Sequence, residues 1–117
     1  MPLSSRQSTE SRQAEIIATV VALAAQRNPA EVTTTDIAKA MKVTQGALFR
    51  HFSTKEAIRL AVIEWIETQL MSRLGSAQAS APDVLNGLEA MFLAHVRFIR
   101  EFPGVPRLIF AELQQPD

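Results

Sequence analysis

Between Thr33 and Phe52 the sequence sets two short helical patterns around a turn of two residues, Lys42-Val43. The first pattern opens on Thr33-Thr34-Thr35-Asp36, a run of side chains suited to capping a helix N-terminus. It continues through Ile37 and Ala38 and ends near Met41. Thr44 caps the second, which runs from Gln45 to about His51. Residues i and i+4 of a helix share a face. Leu48 and Phe52 therefore form a buried pair, with Val43 packing from the turn. Gln45 with Phe49, and Gly46 with Arg50, form a face turned outward.

The rest of the chain also reads as helix, and no segment alternates with the period of a strand. Residues 1–10 are polar and Ser-rich and are expected to form a mobile arm. From Ser11 to about Arg27, Ile16, Ile17, Val20, Val21, Leu23 and Ala24 recur at helical spacing until Asn28-Pro29 stops them. Ser53-Thr54-Lys55-Glu56 starts a fourth helix, with Ile58, Val62, Trp65, Ile66, Leu70 and Leu74 on one broad face. A small, polar loop is expected from Gly75 through Pro82. A fifth helix then runs to about Phe102 and a sixth starts near Pro106, after Pro103-Gly104 breaks the chain. The expected fold class is all-α: a three-helix unit over 11–53 carrying a helix-turn-helix, then the start of a second helical unit over 54–117, which by the family likeness described below would be a partial effector and dimerisation domain.

Charge is distributed unevenly. The formal net charge is zero, which argues against a protein that coats nucleic acid by charge alone. Residues 1–60 nevertheless carry eight Lys and Arg against five Asp and Glu, while residues 61–117 carry four against seven. A first half facing an anion fits that asymmetry. There is no cysteine, so disulfides and thiolate metal sites are excluded, and a reducing cytoplasm is the expected location. No apolar run reaches the roughly 18–20 residues of a membrane span. Neither a Ser-His-Asp set, metal-ligand spacing nor a Gly-rich phosphate loop is present. No enzyme, metal or cofactor is expected.

The Thr34–Phe52 segment has the dimensions of a helix-turn-helix, whose first helix crosses the phosphate backbone while the second lies in the major groove. Gln45 can read adenine edges, and Arg50 can pair with guanine or phosphate. Gly46 has no side chain, which lets the helix backbone approach the groove.

Two stretches, Val32-Thr33-Thr34-Thr35-Asp36-Ile37-Ala38 and Val43-Thr44-Gln45-Gly46-Ala47-Leu48-Phe49-Arg50-His51-Phe52-Ser53-Thr54-Lys55-Glu56-Ala57-Ile58, resemble the TetR family of transcriptional regulators. The resemblance covers about residues 11–70. It implies that Thr34 and Thr35 lie against phosphate at a helix N-terminus. By the same likeness Thr44, Gln45, Gly46, Phe49 and Arg50 face the groove, Lys55 contacts phosphate, and His51 sits beside the backbone. Three positions depart from the family pattern. Phe49 stands where Tyr is usual and Ala47 where Thr is frequent, each removing a hydroxyl contact. Lys42 stands where Gly is common, and a positive φ there would cost about 1 kcal/mol.

The resemblance also implies a repressor released from a double-stranded DNA operator by a small apolar or aromatic effector, with activation as the alternative. A homodimer is expected for the full-length protein. Family members are usually longer, so an incomplete chain is expected here. His95 is the one polar residue amid Leu88, Met91, Phe98 and Phe102. It reads either as a satisfied core histidine or, with Trp65, Met91, Phe98 and Phe102, as part of an effector pocket. A second function class stays open: a helical module that binds an apolar ligand or a partner protein without DNA.

Overall fold

The computed structural model describes residues 2–115, with side chains from Thr9 onward. Six α-helices follow in order among the described residues: α1 (Pro2–Gln26), α2 (Thr34–Met41), α3 (Gln45–His51), α4 (Lys55–Ala79), α5 (Val84–Glu101) and α6 (Gly104–Leu113). A 3-10 turn, Pro29–Glu31, joins α1 to α2. No strand occurs among these residues.

Most helix starts are set by one polar side chain. Thr33 accepts from the Asp36 amide while the Asp36 carboxylate accepts from the Thr33 amide, at 3.0 and 2.9 Å, a reciprocal capping box. Thr44, Thr54 and Asp83 cap α3, α4 and α5 without a reciprocal bond, accepting from the amides of Ala47, Ala57 and Asn86. Each such cap is worth about 1 kcal/mol. Asn28 caps the 3-10 turn by accepting from the Ala30 amide.

Several boundaries differ from the sequence expectation. α1 begins at Pro2, so residues 2–10, expected as an arm, are helical, and Met1 lies outside the described residues. Proline is well placed in a first turn, and nothing between it and Ser11 breaks a helix. α4 runs through Gly75 to Ala79 and shortens the expected loop to Ser80–Asp83. A lone glycine costs a helix only about 1 kcal/mol, and α4 recovers this by packing along α5. Asp83, just after Pro82, is the residue that caps α5.

One apolar core joins both halves of the chain. Ile16, Val20 and Val21 of α1 meet Ile37 and Ala38 of α2, Leu48 of α3, Ile58, Val62 and Ile66 of α4, Phe98 of α5 and Val105 of α6. No gap in this packing falls near Ser53. α6 presses on α1 at Gly104, where a Cβ would lie 2.2 Å from the Val21 carbonyl oxygen. Only glycine permits that approach. Further along, Arg59 of α4 donates to both carboxylate oxygens of Glu112 on α6 and, at 2.7 Å, to Glu56. Glu112 first, then Glu56, raises the Arg59 pKa above its ordinary value.

Of the five residues expected to line an effector pocket, Trp65, Phe98 and Phe102 pack on one another. Trp65 meets Phe102 edge-to-face at 5.1 Å between centroids, and Phe102 lies 5.4 Å from Phe98. The Arg73 guanidinium sits 4.9 Å over the Phe98 ring and pairs with Glu101 at 2.8 Å. Phe98 is fully buried, and Met91 is half-buried. His95 is exposed, neither a core histidine nor a neighbour in that aromatic cluster. The reason is rotation. α5 buries Gly87, Ala94 and Phe98, and at 100° per residue His95 points away from that line.

Candidate nucleic-acid interface

α2 and α3 are separated by a sharp bend at Lys42, whose φ of 60° and ψ of 41° are left-handed. It is the only described residue other than glycine with a positive φ. The Lys42 amide donates to the carbonyl of Lys39 at 3.1 Å, and the Val43 amide donates to that of Ala38 at 3.0 Å. This pair of bonds is a Schellman ending, which usually recruits glycine. The bend turns α3 across α1, and the 3.2 Å hydrogen bond from the Gln13 amide to the His51 carbonyl anchors the far end of α3.

In this setting α3 has two sides. Leu48 is buried, and Val43 and Phe52 pack half-buried against the same core. Thr44, Gln45, Gly46, Phe49 and Arg50 are exposed. Phe49 is 37% exposed. Gln45 donates from its amide nitrogen to the Thr35 hydroxyl, tying the start of α3 to the first turn of α2. A primary amide carries two N–H groups and a carbonyl, so this tether orients Gln45 while leaving donor and acceptor capacity.

Thr35 is exposed and Thr34 half-buried at the α2 N-terminus. The capping carboxylate of Asp36 adds a negative charge beside any incoming anion. Arg27, at the end of α1, pairs with it at 3.1 Å and offsets that charge. The hydrogen bonds from Thr33, reinforced by Arg27, lower the Asp36 pKa below its ordinary 3.8. The sequence did not indicate this pair, because nothing local links positions 27 and 36.

His51 is half-buried. With Arg12 and Arg50 it borders a cleft of about 210 Å³ between α1 and α3. Arg12 is exposed and adds a cation beside Arg50 that sequence reading passed over, since the α1–α3 contact is tertiary. Lys55 is exposed in the first turn of α4. Thr44, Gln45, Gly46, Phe49, Arg50 and Lys55 are thus exposed, whereas His51 is half-buried.

Residues 16–62 match the family model described as bacterial regulatory proteins, tetR family. Residues 16–62 thus carry a helix-turn-helix domain of the tetR type. The nucleoid occlusion factor SlmA of Haemophilus ducreyi is 30% identical over 105 residues, covering 89% of this chain and 52% of the relative. SlmA of Vibrio cholerae is 31% identical over 87 residues, covering 74% of this chain and 44% of the relative. The chain thus spans about half the length of the curated relatives it matches. No helix among the described residues is long and apolar enough to cross a membrane.

Proposed function

We propose that the protein is a sequence-specific, duplex-DNA-binding transcriptional regulator in which α3 enters the major groove. One observation carries this reading: α3 buries Leu48 and exposes Thr44, Gln45, Gly46 and Arg50 beyond a sharp bend. In this reading Gln45 and Arg50 supply base-edge contacts. Thr34, Thr35 and Lys55 supply phosphate contacts, which position the domain without specifying sequence. Phe49 contributes apolar contact to the groove wall. The protein acts from the cytoplasm as a homodimer and represses until a small-molecule effector favours a released conformation. It does no chemistry on the nucleic acid.

Selection of bound duplexes from a random pool, using the full-length gene product, tests this. The expected result is an enriched site with two symmetry-related halves about 34–36 Å apart, or a multiple of that. Affinity should fall steeply with salt as phosphate counterions are released. No enrichment at low salt would overturn the assignment in favour of a helical module that binds an apolar ligand or a protein. The likeness to nucleoid occlusion factors supports a second physiological role on the same chemistry, nucleoid occlusion instead of promoter control. Sites scattered over the chromosome would favour occlusion, and sites grouped upstream of a few genes would favour transcriptional control.

A further inference from the structure

We propose that Thr35 is a positioning residue for base reading: its hydroxyl donates to a DNA phosphate while accepting from the Gln45 side chain, which fixes Gln45 in the orientation that selects adenine. This rests on the DNA-binding reading above and goes beyond it, since there Thr35 holds the backbone without bearing on sequence.

The Gln45 amide nitrogen donates to the Thr35 hydroxyl oxygen. The bond spans the bend at Lys42 and joins two exposed side chains on different helices. Both helix starts are held by other groups: the Thr33–Asp36 box sets α2, and Thr44 caps α3. Ile37, Ala38 and Leu48 fix the two helices in one core. The frame that brings Thr35 and Gln45 together is therefore built by other residues. Their contact is available for recognition.

A hydroxyl has one proton to donate and two lone pairs that accept, and a primary amide has a carbonyl at one end and two N–H groups at the other. With no third partner, Thr35 can satisfy either end of Gln45, by accepting from the nitrogen or by donating to the oxygen. A phosphate removes that freedom. Its ionised oxygens only accept, so they take the Thr35 proton in a charge-assisted bond. The Thr35 oxygen is then left to accept, and only the nitrogen end of Gln45 can serve it. Gln45 keeps its carbonyl and one N–H for the groove. Adenine, which offers N6–H and N7, matches that pair, whereas guanine presents two acceptors there, O6 and N7. A flipped amide, with both N–H groups outward, would suit guanine. The phosphate contact thus sets which base Gln45 selects. Asp36, next in sequence, has its charge offset by Arg27 at 3.1 Å, and the relay works through hydrogen bonds without any net charge at the site.

Base pairs of the selected duplex are changed one at a time, and affinities are measured for the whole gene product and for Thr35→Val, Thr35→Ser and Gln45→Ala. One adenine in each half-site is expected to owe its preference to Gln45, and guanine in its place should cost the parent protein about tenfold. Thr35→Val should cut that ratio to about twofold or less. Its preferences at other base pairs and its salt slope should match the parent, because no charge is removed. Thr35→Ser should keep the ratio. Gln45→Ala should lose it, and adding Thr35→Val should lower it no further, as expected of two coupled residues. Methylphosphonates placed at each phosphate in turn should reveal one whose replacement relaxes the same preference in the parent but not in Thr35→Val.

Undiminished discrimination by Thr35→Val, a loss in Thr35→Ser as large as in Thr35→Val, or a Gln45-dependent preference for another base would each overturn the positioning role. Equal weakening of Thr35→Val at every base pair would also overturn it, leaving Thr35 as a phosphate contact alone. Thermal melts check that the variants fold. Without DNA, the side-chain amide resonances of Gln45 should move in Thr35→Val and much less in Thr35→Ser. Unmoved resonances in Thr35→Val would show that the tether does not form in solution. Failure of the parent protein to bind any duplex at low salt would reject the DNA-binding reading and the relay together, whereas binding with base preference untouched by Thr35→Val rejects the relay alone.

Discussion

α3 and α5 each bury one line of side chains and expose another, yet their exposed lines are chemically opposite. α3 hides Leu48 and shows Thr44, Gln45, Gly46 and Arg50. α5 hides Ala94 and Phe98 and shows Leu85, Leu88 and Phe92, at 79%, 60% and 67% exposure. A polar outward face is at ease in water and is recognisable by what its donors and acceptors can meet. An apolar outward face gains free energy only when something covers it. The comparison teaches that amphipathicity marks a helix's inner side reliably only where the outer side is polar. On α5 the apolar stripe is broad enough to hold both the buried Phe98 and the exposed Phe92, and periodicity alone does not say which edge of it faces the core.

The largest expected effect tests this contrast within α5 itself. Phe98→Ala should destabilise the chain by about 3–5 kcal/mol, since it removes a fully buried ring from the aromatic cluster. Phe92→Ala, two turns' worth of sequence pattern but a different face, should change stability by no more than about 0.5 kcal/mol. Urea denaturation of the two variants compares them directly. Similar losses would mean that the two faces of α5 are not distinguished as described.

The same contrast explains what was legible beforehand. Thr33, Thr44 and Thr54 each announce a helix start through the reach of a hydroxyl to an amide three residues on, a local geometry that sequence spacing carries. Leu48 and the exposed Gln45 and Arg50 followed from i and i+4 spacing alone. His95 did not, because its assignment needed the rotation of a helix with a broad apolar stripe against α4. Arg12 beside Arg50, Arg27 with Asp36 and Arg59 with Glu112 each join different helices, and spacing has no term for such pairs. The expected boundary at Ser53 likewise rested on a change of role. The core runs through it from Leu48 to Ile58.

On α3 the outward face is tested by function. Arg50→Ala should cost about 1–3 kcal/mol of duplex affinity and relax base preference, the signature of a direct base contact. Lys55→Ala should weaken binding across all sequences and lower the salt slope by about one. Binding curves on the selected site and on shuffled duplexes, at several salt concentrations, separate the two. Uniform weakening by Arg50→Ala would move that side chain from base reading to phosphate contact.

The bend that turns α3 outward carries a smaller effect of opposite sign. Lys42 occupies a left-handed conformation, which costs a side-chain-bearing residue about 1–2 kcal/mol. Lys42→Gly should therefore stabilise the chain. The gain should stay below about 1 kcal/mol, because glycine also enlarges the unfolded ensemble. Thr33→Ala, which removes the cap at the other end of α2, should cost about 1 kcal/mol. If thermal melts show Lys42→Gly destabilising, the strain assigned to the bend is absent.

The smallest expected effect is the acid response of the α2 N-terminus. The Thr33 bonds, with help from Arg27, hold the Asp36 pKa below its ordinary value of 3.8. A carboxylate with a depressed pKa in the folded state stabilises that state fully at pH values above its ordinary value. The contribution is lost as pH falls through 3.8 toward the depressed value, because protonation removes the charge from both the cap and the ion pair. Asp36→Asn should accordingly lower the melting temperature at pH 6, and its deficit against the parent chain should narrow as pH falls below about 4. Asp83, depressed by its bonds to Asn86, titrates in both proteins and cancels from that difference. A deficit that stays constant through the acid range would show that Asp36 acts by shape, with its charge contributing nothing.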